Sequence, residues 1–259
     1  VDVDWNLLYS GQKPRRISLP VYPFAKVRCW IQDEAEAVSK RNDGKTVIHP
    51  LLHENTSDLW ELKFTSVFTG REFFFTDHTV NGQKVLPGAA VIEMARAAVE
   101  RAAYAVPDGR KGLYLKDLIW MRPVVHKGTD VEVHISLILK GNEDIEFTIY
   151  SLSEEPGGER IIYSKGTAVS GEIAAVPSVH LEGWLSGCSQ SVMTSDEVYQ
   201  AFRHAGMIYG PSHQGIDQLM IGERGAAARL SLPETADSTA DQFVIHPSLL
   251  DAAFQASLG

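Results

Sequence analysis

The sequence predicts an α+β fold in which antiparallel strands wrap around a buried helix. Two observations carry this reading. Polar and apolar residues alternate in four stretches, Leu59 to Thr69, Thr129 to Lys140, Asp144 to Leu152 and Glu159 to Val169. A two-residue period marks a strand with one face in the core. The run LPGAAVIEMARAAVERAAYA, from Leu86, is instead helical in composition: Pro87 suits a first helical turn, and the alanines with Ile92, Met94 and Val99 favour a long, largely buried helix. One buried helix among antiparallel strands is the hotdog arrangement.

A stretch bearing Pro, Gly and Ser, Gly171 to Ser191, separates this unit from a second. There TSDEVYQAFRHAG reads as a short helix with Thr194 or Ser195 as N-cap and Gly206 as stop. Strand-like QLMIGE and AAARLSL follow, then HPSLLDAAFQASLG, a helix with Pro247 near its start. Both buried helices open with proline after an apolar lead-in, Leu86-Pro87 and Ile245-His246-Pro247. Proline is common at helix starts in any fold. The echo nevertheless points to two related halves, a double hotdog. The expected divisions are 1–45 as a linker, 46–170 as the N-terminal hotdog, 171–193 as the inter-hotdog linker and 194–259 as the C-terminal hotdog. The second half stops within its own helix, so it is expected to be incomplete.

The first 30 residues hold three prolines and scattered aromatics without a helical or strand period, as in an extended, anchored segment. Ile31 to Lys45 is charged and poor in large apolar residues, as in a solvated connection. With 259 residues and 44% hydrophobic composition the chain can bury a core without disulfide or metal support. A net charge of −9 argues against nucleic acid, since phosphate binding needs a basic surface. Cys29 and Cys188 are far apart and form no CxxC, which speaks against a disulfide framework and a thiolate zinc site. No apolar run nears the about 18 residues that span a bilayer, and the N-terminus lacks a signal-peptide pattern. The expectation is a cytoplasmic protein with no membrane partner.

The chemistry gathers in three segments. His78 follows three phenylalanines and precedes the first buried helix, in a stretch expected to be irregular. A neutral imidazole in an apolar pocket is a base suited to pH 7. Most histidines are structural, and the spacing sharpens the case: His78, Gly82 and Pro87 form HxxxGxxxxP, followed by Gly88. Gly82 permits a turn, and the free N–H groups at the helix start, above all that of Gly88, can point at a thioester carbonyl oxygen. The complementary acid is Asp251, with Gln255 four residues later on the same helix face. Its apolar neighbours Leu249, Leu250, Ala252, Ala253 and Phe254 favour the protonated carboxyl, whereas the helix N-terminus favours the anion. In GMIYGPSHQG, Tyr209 stands in a turn where its hydroxyl can reach the leaving group or the carboxyl. His213 is a weaker candidate for a second base, and Glu93 reads as structural or facing solvent.

These segments together resemble the dehydratase domains of modular polyketide synthases. The family's HxxxGxxxxP, YGPxxQG and HPxxxDxxxQ stand here in order, as His78-Gly82-Pro87, Tyr209-Gly210-Pro211-Gln214-Gly215 and His246-Pro247-Asp251-Gln255. HPLL at His49 to Leu52 resembles the start of such domains. The resemblance covers Thr46 to Gly259. LPVYPFAKVRCW resembles the LPxYPFxRxxxW tail that follows ketosynthase domains, departing at Lys26 and Cys29; it implies a ketosynthase upstream and a synthase served by a separate acyltransferase. The resemblance implies a β-hydroxyacyl substrate on the phosphopantetheine arm of an acyl carrier protein, no metal or redox cofactor, and a homodimer. It further implies that His78 removes the α-proton and Asp251 protonates the departing hydroxyl, with Gly82, Pro87, Gly88, Tyr209 and Gln255 around the substrate.

Two other readings compete. A related hotdog that shifts an enoyl double bond or assists ring closure can work with a lone histidine and commonly lacks the aspartate. A catalytically silent module would only dock a carrier protein or join the synthase dimer. Asp251 weighs against the first, and the intact set of His78, Gly82, Asp251 and Gln255 against the second.

Overall fold

The computed structural model describes residues 47–257, apart from 103–110, 141–143, 154, 156–157, 173–177, 179, 181–182, 184, 186, 189 and 224. The expected N-terminal linker, 1–45, lies outside the described residues. The first half comprises β1 (Glu54–Asn55), β2 (Leu62–Phe68), α1 (Phe73–Thr76), β3 (His78–Val80), β4 (Gln83–Val85), α2 (Gly88–Ala102), β5 (Lys111–Trp120), β6 (Val125–His126), β7 (Val131–Leu139), β8 (Ile145–Leu152) and β9 (Arg160–Glu172). The second comprises β10 (Ser191–Thr194), α3 (Ser195–His204), β11 (Met207–Tyr209), β12 (Ile216–Gly222), β13 (Gly225–Leu230) and α4 (Pro247–Ala256).

Six strands form the large antiparallel sheet, in the order β1-β2-β7-β8-β9-β5. Helix α2 packs on β5, β7 and β9. Its buried Ala90, Ala95, Ala97 and Ala98 let the sheet approach closely, and Phe64, Phe68, Ile135 and Phe147 fill the space between. In β2 the alternation reads directly as burial, with Phe64, Ser66 and Phe68 inside. Strand β7 departs from it, because Val133 to Leu137 are buried without a break. It is an inner strand, and on its second face His134 packs on Tyr150 and hydrogen-bonds Thr65.

A smaller sheet, β10-β12-β13, backs α4, and α4 also packs against α2. This is the double hotdog: two antiparallel sheets, each flanking a helix. The choice of N-cap for α3 resolves to Thr194, whose hydroxyl accepts from the Glu197 N–H while the Glu197 carboxylate accepts from the Thr194 N–H. Pro87 stands one residue before α2, and its carbonyl accepts the N–H groups of Ala90 and Val91.

The element that joins the halves was not legible as a strand. A third sheet, β11-β3-β4-β6, takes β11 from the second half and the β3–β4 hairpin from the first. The hairpin turns on Asn81 and Gly82, at φ 48° and 78°. Positive φ at both central residues is what an Asn-Gly hairpin turn requires. His78 therefore lies on a strand rather than in an irregular stretch, and its register partner is Tyr209.

Candidate active site

His78 is 8% exposed. Its Nδ1 lies 2.8 Å from the carbonyl oxygen of Val85, at the end of the facing strand. That oxygen can only accept, so Nδ1 carries the proton and neutral His78 keeps its lone pair on Nε2. The imidazole lies edge-on to the Tyr209 ring, with centroids 5.5 Å apart. A cavity of about 340 Å³ opens beside it, walled by His78, Gly88, Val91, Trp120, Arg122 and Tyr163 among others. Gly88 begins α2 on this wall, where a first-turn N–H has no intrahelical partner. A Cβ there would come 3.2 Å from Trp120 Nε1, so glycine keeps backbone and indole in contact.

Asp251, 6% exposed, sits in the second turn of α4. Its position is fixed by a chain of donors whose directions can be assigned. The Ile216 N–H donates to the Tyr199 hydroxyl over 2.9 Å, so the Tyr199 proton goes to Gln255 Oε1, 3.0 Å away. Gln255 Nε2 then donates to Asp251 Oδ2 at 2.7 Å and to the His213 carbonyl at 3.2 Å. Burial raises the Asp251 carboxyl above its ordinary range, against the opposing pull of His78 and the Gln255 hydrogen bond. His78, from the first half, thus acts electrostatically on an acid carried by the second.

The start of α4 explains the first residue of HPxxxDxxxQ. His246 Nδ1 accepts the Ser248 N–H at 3.2 Å and so caps the helix, while Nε2 lies 3.1 Å from the Thr239 hydroxyl. Burial pulls His246 down to about 4, which keeps it neutral for this task. His213 is fully buried and held at about 3, by desolvation first and then by the repulsion a second positive charge would meet from His78 and His246 whenever these are protonated. So weak a base does not suit proton abstraction near pH 7. Burial raises the Tyr209 phenol, with Asp251 and Tyr199 adding to the effect, so it remains a protonated donor.

Not every expected residue reaches the cavity. Gly82 lies in the exposed hairpin turn, and a Cβ on it would meet nothing within 4 Å. Pro87 is buried ahead of α2 and, like Gly82, Asp251, Tyr209 and Gln255, does not form part of this cavity wall. Sequence reasoning missed Tyr199 and Asp77. Asp77 Oδ2 accepts the Ser212 N–H at 2.9 Å and its carbonyl accepts the Gly210 N–H at 2.8 Å, tying the YGPS turn to the residue before His78. A turn-forming Gly-Pro was the only signal of such an anchor.

Comparison with known proteins places this arrangement in a family. The model described as polyketide synthase dehydratase domain matches residues 49–152, and that described as polyketide synthase dehydratase N-terminal domain matches 176–259. The chain is 42% identical over 266 residues to polyketide synthase PksN of Bacillus subtilis, covering 99% of this chain and 5% of that protein. It therefore spans a small part of the curated relatives it matches. The crystal structure of a trans-AT PKS dehydratase domain from Brevibacillus brevis is 43% identical with a TM-score of 0.79, covering 82% of this chain and 74% of that one. The dehydratase domain of RzxB from Pseudomonas fluorescens is 31% identical with a TM-score of 0.70, covering 82% and 74%. With its fold and both family models matched in order along the chain, this protein belongs to the polyketide synthase dehydratase family.

Proposed function

We propose that His78 and Asp251 divide between them the reaction of this family, the removal of water from a β-hydroxyacyl thioester. The domain is a hydro-lyase. The observation that carries the assignment of roles is the opposite preparation of the two groups. His78 presents a free Nε2 lone pair because Val85 holds its Nδ1 proton. Asp251 is a carboxyl whose burial favours the protonated form. Gln255 occupies Oδ2, which leaves Oδ1 to carry and deliver the proton.

In this reading, His78 Nε2 takes the α-proton, and the electron pair moves toward the thioester carbonyl. The Gly88 N–H, at the positive end of a 15-residue helix, stabilises the charge on that oxygen. The electrons return to form the α,β double bond as the β C–O bond breaks, and the oxygen leaves as water with the Asp251 proton. The proton on His78 then passes to Asp251, so the pair ends as it began. Tyr209, beside His78 and kept protonated, orients the hydroxyl.

The same reading assigns the substrate to the phosphopantetheine arm of an acyl carrier protein and needs no metal or redox cofactor. It places an upstream ketosynthase beside the domain, a second copy of the chain as its dimer partner, and the assembly in the cytoplasm. The test is mass spectrometry of a carrier-bound β-hydroxyacyl substrate. Loss of one water is the expected outcome. An isomer of unchanged mass from the corresponding enoyl substrate, without water loss, would assign double-bond shifting, and an unchanged substrate would assign a silent docking module.

A further inference from the structure

Glu93, read from the sequence as structural or solvent-facing, is completely buried on α2. Four hydrogen bonds reach its carboxylate, and an imidazole nitrogen lies beside it. Arg96 donates through Nε to Oε2 at 2.7 Å and through Nη2 to Oε1 at 3.0 Å. The backbone N–H of Val244 reaches Oε1 at 3.0 Å, and that of Ile245 reaches Oε2 at 3.1 Å. His49 Nε2 lies 3.3 Å from Oε1; its Nδ1 accepts the Leu51 N–H, which leaves Nε2 as the protonated nitrogen. Burial alone would raise this carboxyl, yet the adjacent His49 ring, the hydrogen bonds and charge of Arg96 and the Val244 N–H hold it at about 2. It is therefore a fixed anion throughout the working range.

The two backbone groups it grips belong to the segment that leads into α4. Immediately after them come the His246 cap, Pro247 in the first turn, and Asp251. Phe243, on the other side of the grip, packs edge-on to His49 and His246, at 5.5 and 5.0 Å between centroids. The helix that carries Gly88 and Val91 on the cavity wall thus also holds the base of the helix that carries the acid.

We infer that Glu93 is a positioning residue for Asp251, setting the distance between the acid of the second half and the base of the first through the N–H groups of Val244 and Ile245. This rests on the reading of Asp251 as the proton donor. A misplacement of about 1 Å can cost on the order of 100-fold in rate, because reacting atoms must meet at near-contact distance. His78 is held by Val85 and has no bond in this clamp. Loosening the clamp should therefore separate the two half-reactions.

The experiment uses Glu93→Gln and Glu93→Asp in the full chain, each assayed for dehydration and for α-proton exchange with deuterated solvent, with Asp251→Asn run in parallel. Gln keeps the shape but loses one acceptor and the charge; Asp keeps the charge but withdraws from the Val244 and Ile245 N–H groups. The expected result is a fall of about 10-fold or more in kcat for dehydration, KM little changed, and α-proton exchange near the wild-type rate in at least one folded variant. Loss of both reactions in equal proportion, including loss through unfolding of both variants, would make Glu93 a purely structural residue and overturn the inference. Wild-type dehydration in both variants would overturn it as well. If Asp251→Asn itself dehydrates at the wild-type rate, the reading of Asp251 fails first, and the two failures are told apart.

Discussion

Asp251→Asn is expected to lose dehydration by about 10²- to 10⁴-fold while retaining α-proton exchange. Asn matches Asp in shape, and its carbonyl oxygen can still accept from Gln255 Nε2, now 2.7 Å from Oδ2. The donor chain through Tyr199 and Ile216 then stays intact, and the fold with it. What disappears is the proton: an amide cannot surrender one at neutral pH. The base remains, so deuterium should enter the α-position of the carrier-bound β-hydroxyacyl substrate without water leaving. Dehydration at the wild-type rate would show that the hydroxyl departs by another route, with Tyr209 the first suspect.

His78→Ala is expected to remove both reactions, with dehydration falling by at least a comparable factor. The substitution should leave the fold in place. His78 borders a cavity, and water can reach the Val85 carbonyl that loses its donor. Thermal unfolding close to that of the wild type, combined with neither exchange nor water loss, is the predicted pair of readings. Persistent exchange would mean that a second base operates. His213 is the nearest imidazole, 5.8 Å between ring centroids, but at about 3 it binds a proton too weakly to serve.

The parts of the fold that were legible in the sequence are those with a long, regular period. The strands that became β2, β7, β8, β9, β12 and β13, and the helices α2, α3 and α4, each contain enough residues for burial to leave a pattern. Strand β5 was not legible. Asp117 takes a positive φ of 54° and the register against β9 slips between Lys116 and Ile119, so the alternation breaks midway. The β3–β4 hairpin has strands of three residues, too short for any period, and only Asn81-Gly82 announced it.

The candidate site divides in the same way. His78 and Asp251 were found because each stands in a spaced motif, and their direct partners Val85 and Gln255 are close in sequence, whereas the residues that in turn hold Gln255 and the start of α4 are remote. Tyr199 acts on a glutamine 56 positions later, and Glu93 on backbone 151 and 152 positions away. A carboxylate on a helix ordinarily faces water, and no local signal announces that Arg96, His49 and two backbone N–H groups converge on this one. Gly82 shows the reverse case. A residue within a catalytic-looking motif serves the hairpin, and its distance from the cavity wall became visible only in three dimensions.

The central claim is that one substrate spans a base from the first half and an acid from the second, and a structure of the domain with a stable β-hydroxyacyl thioester analogue tests it most directly. The predicted complex has the α-carbon facing His78 Nε2, the β-oxygen within hydrogen-bonding distance of Asp251 Oδ1, and the thioester oxygen about 2.7 to 3.1 Å from the Gly88 nitrogen. An analogue bound with its carbonyl toward solvent, or with its β-oxygen directed away from Asp251, would contradict the account.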